Sequence, residues 1–210
     1  MADLTPQDFR RMQFRLSAPK LTALPSDAIP EIAFAGRSNA GKSSAINKLC
    51  DQKALARTSK TPGRTQAINF FDNGTLRFAD LPGYGFARVP PNVKQAWARL
   101  IEGYLAERDN LAGVVLIMDA RRPLMEFDRQ LLHWGGEYGL AFHLLLTKAD
   151  KLSRNQQHQT LQKIHAAVEG ATISLFSATR GTGLDEARRA VAALLPEADD
   201  TPTDPLDEPI

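Results

Sequence analysis

Apolar positions along this chain keep two rhythms that alternate. Ile32-Ala33-Phe34-Ala35, Val114-Val115-Leu116-Ile117-Met118, Phe142-His143-Leu144-Leu145-Leu146 and Ile173-Ser174-Leu175-Phe176 are short, nearly continuous apolar runs. That is the pattern of strands covered on both faces. Helical spacing fills the intervals. It covers Ser44 to Leu49, then Val93, Ala96, Trp97, Leu100, Ile101, Tyr104 and Leu105 after Pro91, and Phe127 to Leu132. It returns at Leu161, Ile164 and Val168, and at Leu184, Ala187, Val191, Leu194 and Leu195. Pro91 suits a first helical turn, where its missing N–H costs nothing. Ala67-Ile68-Asn69-Phe70-Phe71 and Leu76-Arg77-Phe78-Ala79-Asp80 flank Asn73-Gly74, a tight-hairpin signal. The alternation predicts an α/β fold in three layers, with helices on both faces of the sheet. Six strands are expected, mostly parallel, the hairpin making one edge strand antiparallel.

The pattern also divides the chain. Residues 1–30 lack a sustained period and are basic through Arg10, Arg11, Arg15 and Lys20. Phe9, Met12, Phe14 and Leu16 predict that this extension docks on the body, because exposing so many apolar groups is costly. Residues 31–196 form the expected domain, and residues 197–210, rich in Pro and Asp, cannot bury enough apolar surface to order themselves. A 210-residue chain with 43% hydrophobic and 24% charged residues suits a soluble domain with a sizeable core. No apolar run approaches the length of a bilayer span. The N-terminus, with Asp3 and Asp8 among its arginines, has no secretory apolar core. A lone Cys50 cannot form an internal disulfide, which fits a reducing cytoplasm and a role in helix packing. Net charge is +2, yet all 26 Lys and Arg and only 18 of the 24 acids fall in residues 1–196. That body therefore carries +8, and a basic body with an acidic tail suggests a polyanionic partner.

Candidate chemistry begins at Gly36-Arg37-Ser38-Asn39-Ala40-Gly41-Lys42-Ser43, which fits the phosphate-loop pattern G-x-x-x-x-G-K-[ST] between a strand and a helix. The glycines let the backbone turn so that successive N–H groups face phosphate oxygens. Lys42 supplies charge to the β- and γ-phosphates, the Ser43 hydroxyl is placed for Mg²⁺, and the helix running on through Ser44 turns its positive end to the anion.

Such loops serve ATPases, GTPases and small-molecule kinases alike, so later residues must choose. Thr147-Lys148-Ala149-Asp150 leaves a buried strand where an open α/β sheet presents its ligand-binding edge. A carboxylate there can accept from guanine N1–H and its 2-amino group, donors that adenine lacks. The Lys148 stem can lie against the base. After Phe176, Ser177-Ala178-Thr179 offers small residues whose backbone N–H can approach guanine O6. A metabolic kinase or ATPase with the same loop remains the rival reading.

Taken in order, Gly36 to Ser43, Thr65, Asp80-Leu81-Pro82-Gly83, Thr147-Lys148-Ala149-Asp150 and Ser177-Ala178 resemble the five motifs of translation-factor-type GTPases. Together with Thr61-Pro62-Gly63-Arg64-Thr65-Gln66 and Asp80-Leu81-Pro82-Gly83-Tyr84-Gly85, the chain over about residues 15–195 is similar to the EngB (YihA/YsxC) family, in the TrmE-Era-EngA-EngB-septin-like class. The resemblance implies a Ras-like G domain of the P-loop NTPase type. It also implies a GTPase that acts in assembly of the large bacterial ribosomal subunit and is linked to cell division and septation. Residue roles carry over by position. Ser43 and Thr65 ligate Mg²⁺, Asp80 holds it through water, and the Gly83 N–H meets the γ-phosphate. Lys42, Thr65, Gly83 and Asn39 are the expected catalytic set, with Gly63, Arg64, Gln66 and Ala67 closing on the nucleotide.

Two departures from the general pattern matter. Thr147 replaces the usual Asn, which weakens the amide link between base and phosphate loop. Tyr84 stands where Ras-like proteins carry the water-positioning Gln, so slow intrinsic hydrolysis with outside help is expected. In related GTPases an Asn at the Asn39 position helps hold K⁺, which makes K⁺ one candidate helper and ribosomal RNA or protein another. Arg57, Lys60, Arg64, Arg88 and Lys94 are candidate RNA-phosphate contacts, with Arg121 and Arg122 possible additions. A monomer that binds no membrane is expected, and a division protein as direct partner is the alternative. The four histidines lack metal-ligand spacing, His143 reads as a core residue, Trp97 and Trp134 as helix packing, and Asp119 as a loop cap.

Overall fold

At the centre of the sheet lie Glu31–Gly36 (β2) and Leu111–Asp119 (β5), paired in parallel register from Ile32 opposite Gly113 to Gly36 opposite Ile117. The structure, a computed structural model, describes residues 4–56, 67–84 and 91–196, the side chains of 91–94 excepted. Around the central pair the strands Gln13–Ala18 (β1), Ile68–Asp72 (β3), Arg77–Asp80 (β4), Phe142–Thr147 (β6) and Thr172–Leu175 (β7) complete the order β1-β3-β4-β2-β5-β6-β7. Pairings among β4, β2, β5, β6 and β7 are all parallel.

The fold class is the one expected, with two corrections to the sheet. It has seven strands rather than six, and the antiparallel strand β3 is not at the edge. β1 pairs antiparallel with its outer side, Ala18 opposite Ile68, with a register slip between Phe14 and Leu16. An edge strand needs only one covered face, so Phe14, Leu16 and Ala18 alternate with Gln13, Arg15 and Ser17 instead of forming a continuous apolar run. Phe14 accordingly stays 58% exposed, although its ring meets Phe71 edge-on. Phe9 and Met12 are buried.

Side-chain alternation along the strands builds two cores. Ile32, Phe34, Val115, Ile117 and Leu145 face Lys42–Leu49 (α2), Leu184–Ala193 (α6) and the short Pro6–Arg10 helix (α1). Ala33, Ala35, Leu116, Met118, Leu144 and Leu146 face Pro91–Glu107 (α3), Glu126–Glu137 (α4) and Arg154–His165 (α5). Strands so enclosed must be apolar on both sides, which is why their runs are unbroken in the sequence. Among the described residues no helix is long and apolar enough to cross a membrane. Cys50 is buried behind α2, and that burial pushes its thiol up to about 12.

The two ends of the sheet differ. At the start of β2 and β4, Glu31 and Arg77 are both fully buried and paired at 3.2 Å. Arg77 also meets Asp27 at 2.8 Å and Asp72 at 3.2 Å, while Glu31 accepts from Tyr104 at 2.9 Å and from Arg108 at 2.8 and 2.6 Å. This network bolts the C-terminal part of α3 to the sheet. At the opposite end β2, β4, β5, β6 and β7 all finish, and the chain divides there: from β2 it returns to one side as β4 and to the other as β5. An open parallel sheet places its crevice at such a point.

Candidate functional site

Sequence places a Gly at the end of β2 for a reason beyond a tight turn. A Cβ on Gly36 would stand 2.5 Å from the Ile117 carbonyl oxygen of β5, and that backbone cannot yield. Only Gly lets the strand end so close to its neighbour. Gly41 sits at φ +102°, left-handed backbone that favours Gly, and opens α2 at Lys42. Between them Arg37 and Ser38 are half-buried, Asn39 is exposed at φ +64°, and Ala40 is buried. Ser43 and Ser44 lie in the first turn of α2. The helix start expected from the motif is therefore present.

Asp80, the last residue of β4, is 6% exposed, and the Lys42 ammonium pairs with its carboxylate. After it Leu81 and Pro82 are buried and Gly83 approaches the phosphate loop, its Cβ position 3.5 Å from the Ser38 backbone. The Ser38 N–H donates to the Tyr84 carbonyl at 2.7 Å, and Tyr84 forms an isolated parallel bridge with Arg37. The Tyr84 ring turns the other way. It packs against Trp97 and Phe127, and its hydroxyl donates to Asp128 at 2.6 Å. Burial, together with the nearby Asp128 charge, raises the phenol well above its ordinary value. Burial likewise raises Asp128, against hydrogen bonds from Tyr84 and the Met125 N–H.

The end of β6 carries the residues expected to face the base. The Thr147 hydroxyl donates to the Ala40 carbonyl and lies 3.1 Å from the Met118 carbonyl. Thr147, in place of the usual Asn, thus meets the phosphate loop through its hydroxyl. Lys148 adopts φ +58°, and its ammonium donates to the Asn39 carbonyl at 2.6 Å and to Asp119 at 2.9 Å. Ala149 is buried, its N–H donating to the Phe176 carbonyl at 3.1 Å. Asp150 accepts from the Ser177 hydroxyl at 2.7 Å, and this bond holds the carboxyl below its ordinary value. Phe176 and Ser177 are buried and Ala178 half-buried, following β7 directly.

One edge of the sheet therefore gathers Gly36 to Ser44, Asp80 to Gly83, Thr147 to Asp150 and Phe176 to Ala178. Ala67 lies apart from these strand ends in sequence, just before β3. Gly63, Arg64, Thr65 and Gln66 lie outside the described residues, as do Arg57, Lys60, Arg88 and the acidic tail 197–210. His143 is buried between the Thr172 and Ser174 hydroxyls at 2.8 and 2.9 Å, a core residue as its strand position predicts.

Sequence analysis gives Asp119 and Arg121 other roles and passes over Asp128. A cleft of about 410 Å³ beside the phosphate loop is lined by Arg37, Asn39, Asp119, Arg121, Asp128 and Lys148, among others. Asp119 does cap its loop, accepting from the Arg121 N–H at 3.1 Å, but it also takes the Arg121 guanidinium at 2.9 and 2.6 Å and the Lys148 ammonium. The available signal was position: a charged residue ending a parallel strand stands on the ligand edge. Asp128 carried no such signal, because helix spacing alone does not reveal a tyrosine hydroxyl across the core.

Residues 31–148 match the family described as 50S ribosome-binding GTPase. A "Probable GTP-binding protein EngB" from Aromatoleum aromaticum is 50% identical over 204 residues, covering 94% of either chain. One of the same name from Stenotrophomonas maltophilia is 48% identical over 191 residues, covering 88% of this chain and 96% of that one. Among solved structures, the crystal structure of a probable GTP-binding protein engB superposes with a TM-score of 0.66 at 21% identity, covering 78% of this chain and 97% of that one.

Proposed function

The chain belongs to the EngB family of GTP-binding proteins, and on that premise we propose that it is a GTP-controlled switch acting in assembly of the large ribosomal subunit. GTP binding and hydrolysis come with the family, which removes the kinase or ATPase that the phosphate loop alone left open. The observation that carries the nucleotide reading is Asp150, held ionised by Ser177 at the same sheet edge as the phosphate loop. Guanine offers that carboxylate two N–H donors that adenine lacks. The Lys148 stem lies against the base, and N–H groups from Gly36 to Ser44 and the Lys42 ammonium take the phosphates.

Mg²⁺ fits the donor set. Asp80 is buried and needs a cation beside it, a need Lys42 meets in this structure. Phosphates would draw Lys42 away, and Asp80 through water with the hydroxyls of Ser43 and Thr65 would hold the ion by oxygen alone, as Mg²⁺ prefers. The ion would neutralise charge on the β- and γ-phosphate oxygens. Gly83, whose Cβ position lies 3.5 Å from the Ser38 backbone, would offer its N–H to the γ-phosphate and with Thr65 would report the presence of that phosphate. Tyr84 is turned into the core, which supports slow intrinsic hydrolysis; K⁺ held at Asn39 or a contact on the ribosome would supply the missing help. The protein works in the cytoplasm as a monomer, and normal cell division depends on it through ribosome supply.

Asp150→Asn tests the nucleotide reading: affinity shifts from GTP towards xanthosine triphosphate, and an unchanged preference would sink it. Pelleting with large ribosomal subunits tests the partner. The GTP-loaded form co-sediments more than the GDP-loaded form, whereas equal binding at every salt concentration contradicts the switch.

A further inference from the structure

The cleft between the phosphate loop and the end of β5 contains a chain of contacts that the reading above does not use. Arg121 grips Asp119 through two guanidinium N–H groups at 2.9 and 2.6 Å; Asp119 takes the Lys148 ammonium at 2.9 Å; Lys148 donates onward to the Asn39 carbonyl at 2.6 Å. We infer that Asp119 is a positioning residue for guanine recognition, holding the Lys148 side chain stretched across the phosphate loop so that its stem is already set where the base stacks. This rests on the proposal that Lys148 faces the base.

Three observations carry it. First, lysine is a flexible side chain with three ammonium donors, and two of them are committed here to fixed acceptors on different segments. A side chain fixed before its ligand arrives loses less freedom on binding. Second, both ends of the Lys148–Asn39 contact have left-handed backbone, φ +58° and +64°. Non-glycine residues hold that conformation only where surrounding contacts over-determine it, and such positions cluster at ligand clamps. Third, the sheet register dictates the placement. Asp119 is the partner of Thr147 across β5 and β6, so the residue following Thr147 must pass beside the Asp119 carboxylate. Burial pushes the Asp119 carboxyl up, but hydrogen bonds from Arg121 and Lys148 outweigh it and keep the group ionised.

Asp119 is assigned no contact with the nucleotide itself, so its effect passes through Lys148. A double-mutant cycle reads that dependence directly. Fluorescent GDP is titrated into the full chain, Asp119→Asn, Lys148→Ala and the pair combined, each checked by thermal melting. Asp119→Asn is expected to weaken binding about 5–10-fold, yet to add less than about twofold once Lys148 is already Ala. In hydrolysis Asp119→Asn raises KM and leaves kcat unchanged, because base stacking is equal in ground and transition states. Asp119→Glu, which keeps the charge on a longer arm, recovers part of the loss. Additive losses overturn the inference, as does an Asp119→Asn protein that binds like the parent while Lys148→Ala binds weakly. Unimpaired binding by Lys148→Ala would overturn the Lys148 reading and the Asp119 role together.

Discussion

The Tyr84 hydroxyl donates to the buried Asp128 carboxylate at 2.6 Å, tying the segment after β4 to the first turn of α4. The contact fixes where a bulky residue goes when it occupies the position next to Gly83. Its ring fills a pocket made with Trp97 and Phe127, and its polar tip meets a carboxylate that would otherwise keep one hydrogen bond, from the Met125 N–H. Tyr84→Phe should cost about 1–3 kcal/mol in urea unfolding, the penalty for a buried acceptor losing its donor. GTP hydrolysis should remain within about threefold of the parent, since a hydroxyl turned away from the phosphate edge stabilises nothing in the transition state. A tenfold or greater fall would place that hydroxyl on the attacking water.

Trp97 offers an optical report on the same segment. Its indole N–H donates to the Pro82 carbonyl at 2.9 Å and its ring lies 5.3 Å from that of Tyr84. Movement of residues 81–84 between nucleotide states would break both contacts and wet the indole. With Trp134 changed to Phe, exchanging GDP for a non-hydrolysable GTP analogue should shift Trp97 emission. Identical spectra would mean that Pro82 and Tyr84 keep one position in both states.

His143 makes acid stability a site-specific measurement. Burial lowers its pKa to about 4, against an ordinary value near 6.5. An unfolded chain therefore takes up this proton first as pH falls, so stability present above pH 6.5 is lost on the way down to pH 4. The loss amounts to about 2 kcal/mol by pH 5 and about 3 kcal/mol in all. Urea unfolding at pH 7.5 and pH 5 should show His143→Gln losing correspondingly less than the parent between the two conditions. Equal losses would mean that His143 is protonated equally in the folded and unfolded states.

Glu31 is the hub of the far end of the sheet, accepting from Tyr104, Arg77 and Arg108 while fully buried. Glu31→Gln leaves cationic partners without their counter-charge and should destabilise the fold by about 3–5 kcal/mol, the range for breaking one side of a buried ionic cluster. The deficit should change little with added salt, because screening hardly reaches such a site. A change below about 1 kcal/mol would mean that Asp27 and Asp72 suffice for the arginines.

Most of the sheet was legible because doubly covered strands must be apolar throughout, and the phosphate loop and Asp150 because their chemistry admits few substitutes. β1 was overlooked for the converse reason: with one face open, Gln13 to Ala18 reads as a weak alternation in a basic stretch. Near the phosphate loop, position along the chain singles out Lys148 but not the Asp119 carboxylate it pairs with. Asp119 is 29 residues from Lys148 and Asp128 is 44 from Tyr84. Pairs so far apart become neighbours only through strand register and helix placement, which local spacing does not encode. At Thr147 a side chain shorter than the usual Asn still reaches the Ala40 carbonyl through its hydroxyl, a contact that spacing alone does not show.

The ionic cluster around Glu31 also decides how α3 can move. Tyr104 and Arg108 pin the helix at the end of the sheet opposite the phosphate loop, while its first turn follows in sequence on the residues after Tyr84, and Trp97 touches Pro82 partway along. A helix of 17 residues fixed at one end is a lever arm roughly 25 Å long. A push of an ångström or so near Pro82 would therefore be magnified towards Pro91 and vanish at Glu31.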